Sequence, residues 1–141
     1  MAVPPLALDP MSPLIPSTPR DPDGRYRYRH YIDGVSCDPE SGAWFETSDP
    51  VTGENWAHVP RGSIADVERA VKAAHTAFSG GPWPALSASE RGALMRRLGD
   101  LIAENAPWLA RVEMRDNGKL MAELSMQMRY MANYYYYYGG L

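Results

Sequence analysis

The chain has 141 residues, 45% apolar and 22% charged, with a formal charge of -3 and a pI near 5.6. This length suits one ordinary domain, and the charge balance argues against a nucleic-acid or anionic-membrane partner, since either needs surplus Lys and Arg. No run of eighteen apolar residues occurs, so no transmembrane helix is expected, and a single cysteine, Cys37, rules out an intrachain disulfide and fits the cytoplasm.

The opening stretch, "MAVPPLALDPMSPLIPSTPRDPDG", lacks a basic n-region, and prolines interrupt its apolar runs. A disordered or loosely docked tail over residues 1–25 is expected, not a signal peptide. "RYRYRHYIDGV" then alternates as an extended strand would, with Arg25, Arg27, Arg29 and Tyr31 on one side. Tyr26, Tyr28, His30 and Ile32 fall on the other. Asp33-Gly34 is a hairpin turn signal, because both residues tolerate positive φ. "AWFETS" and "NWAHV" are predicted strands joined by the turn "DPVTGE".

At Ser63 the period changes from two to 3.6. Ser63 and Asp66 have capping-box spacing. Ile64, Val67, Val71, Ala74 and Phe78 form one narrow stripe, with Glu68, Arg69, Lys72 and Thr76 facing away. "SGGPWP" ends this helix. Ser87 and Glu90 make a second capping box, and Leu94, Met95, Leu98, Leu101 and Ile102 follow as its stripe. Pro107 is expected to end or kink that helix. A third, "PWLARVEMRD", should stop at Asn117-Gly118, and a fourth starts near Leu120 and runs through five consecutive tyrosines. In the fourth, Leu120, Leu124, Met128, Met131, Tyr135 and Tyr138 share a face, while Met126, Tyr130, Tyr134 and Tyr137 form a second apolar stripe. The four helices carry more apolar surface than a small hairpin or meander can cover.

Several strings resemble the N-terminal part of the aldehyde dehydrogenase superfamily: "YIDGV", "DPVTGE" with "AHVP", "SIADVERAVKAAHTAFSGGPW", "SASERGALMRRLGDLIAENAPWLARVEMRDNGK" and "YYYYYGGL". Each is weak alone; their order and spacing carry the resemblance over residues 26–141. It implies an α/β fold, here the N-terminal part of the cofactor-binding domain: a short antiparallel hairpin or meander, then about four helices. It further implies that the intact enzyme, a homo-oligomer, oxidises an aldehyde to a carboxylic acid with NAD or NADP. A Cys thiolate attacks the carbonyl, hydride passes to the nicotinamide, and water assisted by a Glu releases the acid. By the same resemblance those groups, and the residues that hold the cofactor, lie beyond Leu141. The chain alone is therefore expected to be inactive and to bind no cofactor. The alternative is a stand-alone interaction module that docks on a full-length homologue through its apolar helix faces.

Candidate chemistry within the chain is sparse. A nucleophilic role for Cys37 needs a lowered thiol pKa, but Cys37 follows a hairpin turn and does not align with the family's nucleophile; it is expected to be a packing residue. His30, His58 and His75 lack metal-ligand spacing. Glu113 and Asp116, three apart on one helix, form either an acid–base pair or a charged helix end. The resemblance adds a monovalent-cation site built mainly from backbone carbonyls, carried over to Thr47, Ser48 and Asp116, with the remaining ligand beyond the chain. "RYRYRHY" mixes bases and aromatics as single-strand nucleic-acid binders do, but without a supporting basic patch an amphipathic strand is the better reading.

Overall fold

The computed structural model describes residues 20–141. Residues 1–19, most of the expected tail, lie outside the described residues. The order is β1 (Tyr26–Arg27), β2 (His30–Ile32), β3 (Val35–Cys37), β4 (Trp44–Ser48), β5 (Asn55–Pro60), α1 (Ile64–Gly80), α2 (Ala88–Asn117) and α3 (Met121–Tyr138), with a single 3-10 turn at Trp83–Ala85. No helix among the described residues is long and apolar enough to cross a membrane.

The predicted first strand divides. β1 joins a three-stranded sheet of order β1-β5-β4, parallel to β5, whereas β2 pairs antiparallel with β3 as a separate hairpin. The break lets Tyr28 and Tyr26 both pack edge-on to buried Trp56, at 5.9 and 6.2 Å between ring centroids. Asp33 (φ 53°) and Gly34 (φ 76°) make the hairpin turn in the left-handed conformation, which a short polar side chain tolerates and a residue without Cβ adopts freely.

Both capping boxes form. Ser63 and Asp66 close the start of α1, and Ser87 and Glu90 the start of α2. Asp66 does more than cap. It is 2% exposed and accepts hydrogen bonds from the Ser63 backbone N–H (2.9 Å), the Ser63 hydroxyl (2.8 Å), Arg69 (2.6 Å) and the Glu40 N–H (3.2 Å) beyond the hairpin. A local cap signal thus also ties α1 to the segment after β3. The apolar stripe of α1 faces outward, and residues near Asp66, Arg69 and Ala73 turn toward the hairpin.

Four expected helices become three. α2 runs unbroken through Pro107, although a proline inside a helix removes one backbone bond and crowds the preceding turn. Packing overrides that local cost. Gly92, Gly99, Ala106 and Ala110 are buried along one seam of α2, so both halves meet α3. Opposite lie Leu124, Met128 and Ala132, and with Leu109, Met114 and Met121 they form the core. Pro107 itself is exposed. Pro107→Ala is expected to stabilise the chain by about 1–3 kcal/mol, read as a higher urea midpoint at unchanged slope.

The tyrosine run divides by face. Tyr135 is half-buried toward the core, while Met126, Tyr130, Tyr134 and Tyr137 form an exposed ridge. Tyr136, in neither apolar stripe, donates its hydroxyl to Asp100 on α2 at 3.0 Å.

Candidate cation site

The fold joins the two segments that the resemblance assigns to cation binding. Thr47 closes the regular part of β4, opposite Ala57. The register then slips, so that Ser48 pairs with Asn55 and Trp56 is passed over. Asp116 lies in the last turn of α2. The Thr47 hydroxyl donates to Asp116 Oδ1 at 2.7 Å, a contact between residues 69 apart in sequence. Ser48 turns elsewhere: its hydroxyl donates to Asn55 Oδ1 at 2.6 Å.

The turn after β4 fixes this geometry. Asp49 accepts from the Val51 N–H through its carboxylate and from the Gly53 N–H through its carbonyl. Pro50, carried on that turn, touches the end of α2. Gly118 caps α2 with φ 73°, and a Cβ there would lie 2.8 Å from Pro50 Cγ. Gly118→Ala combines left-handed strain with this clash. It is expected to cost about 1–3 kcal/mol, measured by chemical denaturation. It should also loosen the Thr47–Asp116 contact, seen as changed chemical shifts at both residues.

The last carbonyls of a helix lack intrahelical partners and carry its negative pole, and Asp116 adds a carboxylate there. Oxygen donors of this kind suit hard cations. Beside the contact opens a cleft of about 490 Å³ between sheet and helices, lined by Tyr28, Trp56, Leu109 and Met131 among others. Burial raises the Tyr28 phenol above its ordinary pKa.

The other candidates separate. Glu113 accepts from Lys119 Nζ (2.9 Å) and Asn117 Nδ2 (3.1 Å), whereas Asp116 is held by Thr47, so the two carboxylates serve different partners. Cys37 lies opposite His30 in the hairpin, with Arg69 Nη2 4.0 Å from its sulfur. His30 faces Asp66 at 3.9 Å, His58 Nδ1 lies 2.6 Å from Asp21 Oδ2, and His75 contacts Ser79. Among the described residues no group of three His, Cys, Asp or Glu is placed to hold a metal. Each arginine of "RYRYRHY" meets a carboxylate: Arg25 pairs with Glu46, Arg27 with Asp21 (3.1 Å) and Arg29 with Asp38 (2.7 Å). Burial pushes the Asp21 carboxyl upward, but hydrogen bonds from Arg27 and His58 outweigh it and leave the pKa low. Sequence reasoning passed over Asp21, whose partner His58 is 37 residues away; no local signal marks such a pair.

Comparison with known proteins defines the class. A family model described as the aldehyde dehydrogenase family matches residues 37–141, and the chain belongs to that family. Among curated relatives it is similar to an Acinetobacter baylyi (Z)-2-((N-methylformamido)methylene)-5-hydroxybutyrolactone dehydrogenase, 44% identical over 82% of this chain and 23% of the relative. It is also similar to aldehyde dehydrogenase family 2 member B4, mitochondrial, of Arabidopsis thaliana, 44% identical over 77% of this chain and 20% of that protein. Among solved structures, an NAD-dependent aldehyde dehydrogenase from Sinorhizobium meliloti superposes with a TM-score of 0.79 at 36% identity, covering 85% of this chain and 24% of the other. An NAD+ complex of an aldehyde dehydrogenase from Bacillus cereus gives 0.78 at 36% identity, over 81% and 23%. The chain thus spans about a quarter or less of the length of the relatives it matches.

Proposed function

We propose that residues 26–141 are the N-terminal scaffold of an NAD(P)-dependent aldehyde dehydrogenase of the cytoplasm, which as an intact homo-oligomer oxidises an aldehyde to a carboxylic acid. The carrying observation is the match of fold and sequence together to an NAD-dependent enzyme, confined to a quarter of that enzyme's length. The nicotinamide, when bound, accepts hydride. The residues of this chain hold strands and helices in place around it and contribute no reacting atom. Thr47, Ser48 and Asp116 bind a monovalent cation through their backbone carbonyls. Their part is structural: the cation ties β4 to the end of α2, where the Thr47–Asp116 bond already draws the two together.

The test is to express the gene's whole reading frame beside the 141-residue chain and follow reduced nicotinamide with a panel of aldehydes. Turnover by the longer product alone is expected. Turnover by the purified chain, or none by a folded longer product, counts against the reading. For the cation, crystals of the longer product soaked in thallium(I) should show an anomalous peak at bonding distance from the Thr47 and Asp116 carbonyls. A bare site would end that part of the proposal.

The exposed ridge of Met126, Tyr130, Tyr134 and Tyr137 favours a second reading, an interaction module docking on a full-length homologue. Co-purification with such a homologue, lost on Tyr134→Asp, separates it from the first.

A further inference from the structure

His58 sits where three segments meet. It stands in β5 opposite Arg27 of β1 and Glu46 of β4, and Asp21 reaches it from the turn before β1. The Asp21 carboxylate is forked: Oδ1 accepts from Arg27 Nη1 at 3.1 Å, and Oδ2 lies 2.6 Å from His58 Nδ1. One side chain thus fastens residues 20–25 across the parallel pair β1 and β5. Within that segment the Asp21 N–H donates to the Arg25 carbonyl (2.9 Å) and the Gly24 N–H to the Asp21 carbonyl (2.8 Å). The side chains of His58 and Asp21 are both largely covered, at 22% and 16% exposure.

The second ring nitrogen decides what this contact does. A carboxylate only accepts hydrogen bonds, so Nδ1 must donate to Asp21. In a neutral imidazole that leaves Nε2 a bare lone pair, and Nε2 lies 3.5 Å from Glu46 Oε1. An acceptor then faces an acceptor. A second proton turns the repulsion into attraction and makes the ring a cation between two carboxylates. Histidine is the side chain that makes this change near physiological pH. The charged groups around the ring are Asp21 from the turn, Arg27 from β1 and Glu46 from β4, with Arg25 paired to Glu46. Arg27 opposes the second proton, but Asp21 Oδ1 lies against its guanidinium. Asp21, its pKa already low, stays a carboxylate through the neutral range.

We propose that His58 is a pH-sensitive latch that fastens residues 20–25 to the sheet by bridging Asp21 and Glu46. With the ring charged, both contacts attract and the segment is closed. When the ring loses its second proton, the Glu46 contact turns repulsive and the segment opens more often. Closure is thus complete in mild acid and weakens as pH rises. The inference stands apart from the dehydrogenase reading, because it depends only on Asp21, Arg27, Glu46 and His58.

The experiment is limited trypsin digestion of the full chain at about pH 6 and about pH 8.5, on either side of the ordinary histidine range. Cleavage after Arg20 and Arg25 is followed, and each rate is divided by that of a synthetic peptide of residues 16–30 at the same pH. The ratio removes the protease's own pH dependence and tracks how often the segment opens. It is expected to rise about fivefold from the lower pH to the higher. In His58→Gln and Asp21→Asn it should be flat, at the level the wild type shows at the higher pH. Helical circular dichroism checks that both variants fold; Asp21, outside every strand and helix, supplies the variant that spares the sheet should His58→Gln fail. Nitrogen NMR of the His58 ring should show two protonated nitrogens at the lower pH and one at the higher. Four results would overturn the proposal: equal ratios at the two pH values, a rise that persists in His58→Gln, an Asp21→Asn segment as protected as the wild type in mild acid, or a His58 ring that is neutral at both.

Discussion

Asp66→Asn is expected to lower the melting temperature at neutral pH by more than about 5 °C, the largest loss from any single carboxylate in the chain. The Ser63 backbone N–H, against the opposing effect of burial, holds the Asp66 carboxyl well below the usual range, and the Ser63 hydroxyl, Glu40 N–H and Arg69 assist. Asparagine keeps the shape but turns an amide toward donors that need an acceptor. The sign follows from linkage. A carboxyl whose folded pKa is depressed contributes stability that is full above its unfolded pKa, about 4, and is lost as pH falls toward the folded value. The gap between wild type and Asp66→Asn should therefore be widest at pH 7 and narrow steadily below about pH 4. Asp21 and Glu90, also lowered, are present in both proteins and cancel in the difference. A gap of equal size at pH 7 and pH 3 would show that Asp66 acts by shape rather than charge.

Gly92→Leu should be the most damaging change in the helical hairpin, at about 3 kcal/mol by urea denaturation. Even a Cβ at Gly92 would lie 2.3 Å from the backbone oxygen of Gly139, and backbone cannot move aside as a side chain can. Arg96 donates to that same oxygen, so the substitution also disturbs the tether between the start of α2 and the end of α3. Gly99 is more forgiving: a Cβ there meets the Tyr136 ring at 2.6 Å. Gly99→Ala should cost less, and chiefly through the Tyr136–Asp100 hydrogen bond. If Gly92→Leu proved harmless while Gly99→Ala did not, the close approach would lie lower in the hairpin than the structure places it.

Features fixed within four or five residues were legible in the sequence. Ser63 with Asp66, Ser87 with Glu90, Asp33-Gly34 and the Gly118 stop each depend on neighbours that any window contains. Features fixed by distant contacts were not. Pro107 reads as a break because its local cost is real, yet α2 continues past it, with α3 packed along both of its halves. The alternation of "RYRYRHYI" spans two strands in different sheets, because Tyr28 and Trp56 settle where the chain leaves the larger one. The α1 stripe was found, but its direction depends on what Asp66 binds outside the helix. For the candidate site, the meeting of Thr47 with Asp116 could be reached only through the resemblance, since nothing local relates residues on a strand end and a distant helix end.

The small-residue seam between α2 and α3 has a consequence for how the molecule comes apart. α1 rests chiefly on the hairpin and the 3-10 turn, while α2 and α3 rest chiefly on each other. α1, with few neighbours, should therefore exchange its backbone amides with solvent sooner than α2 and α3, which shield one another along the seam.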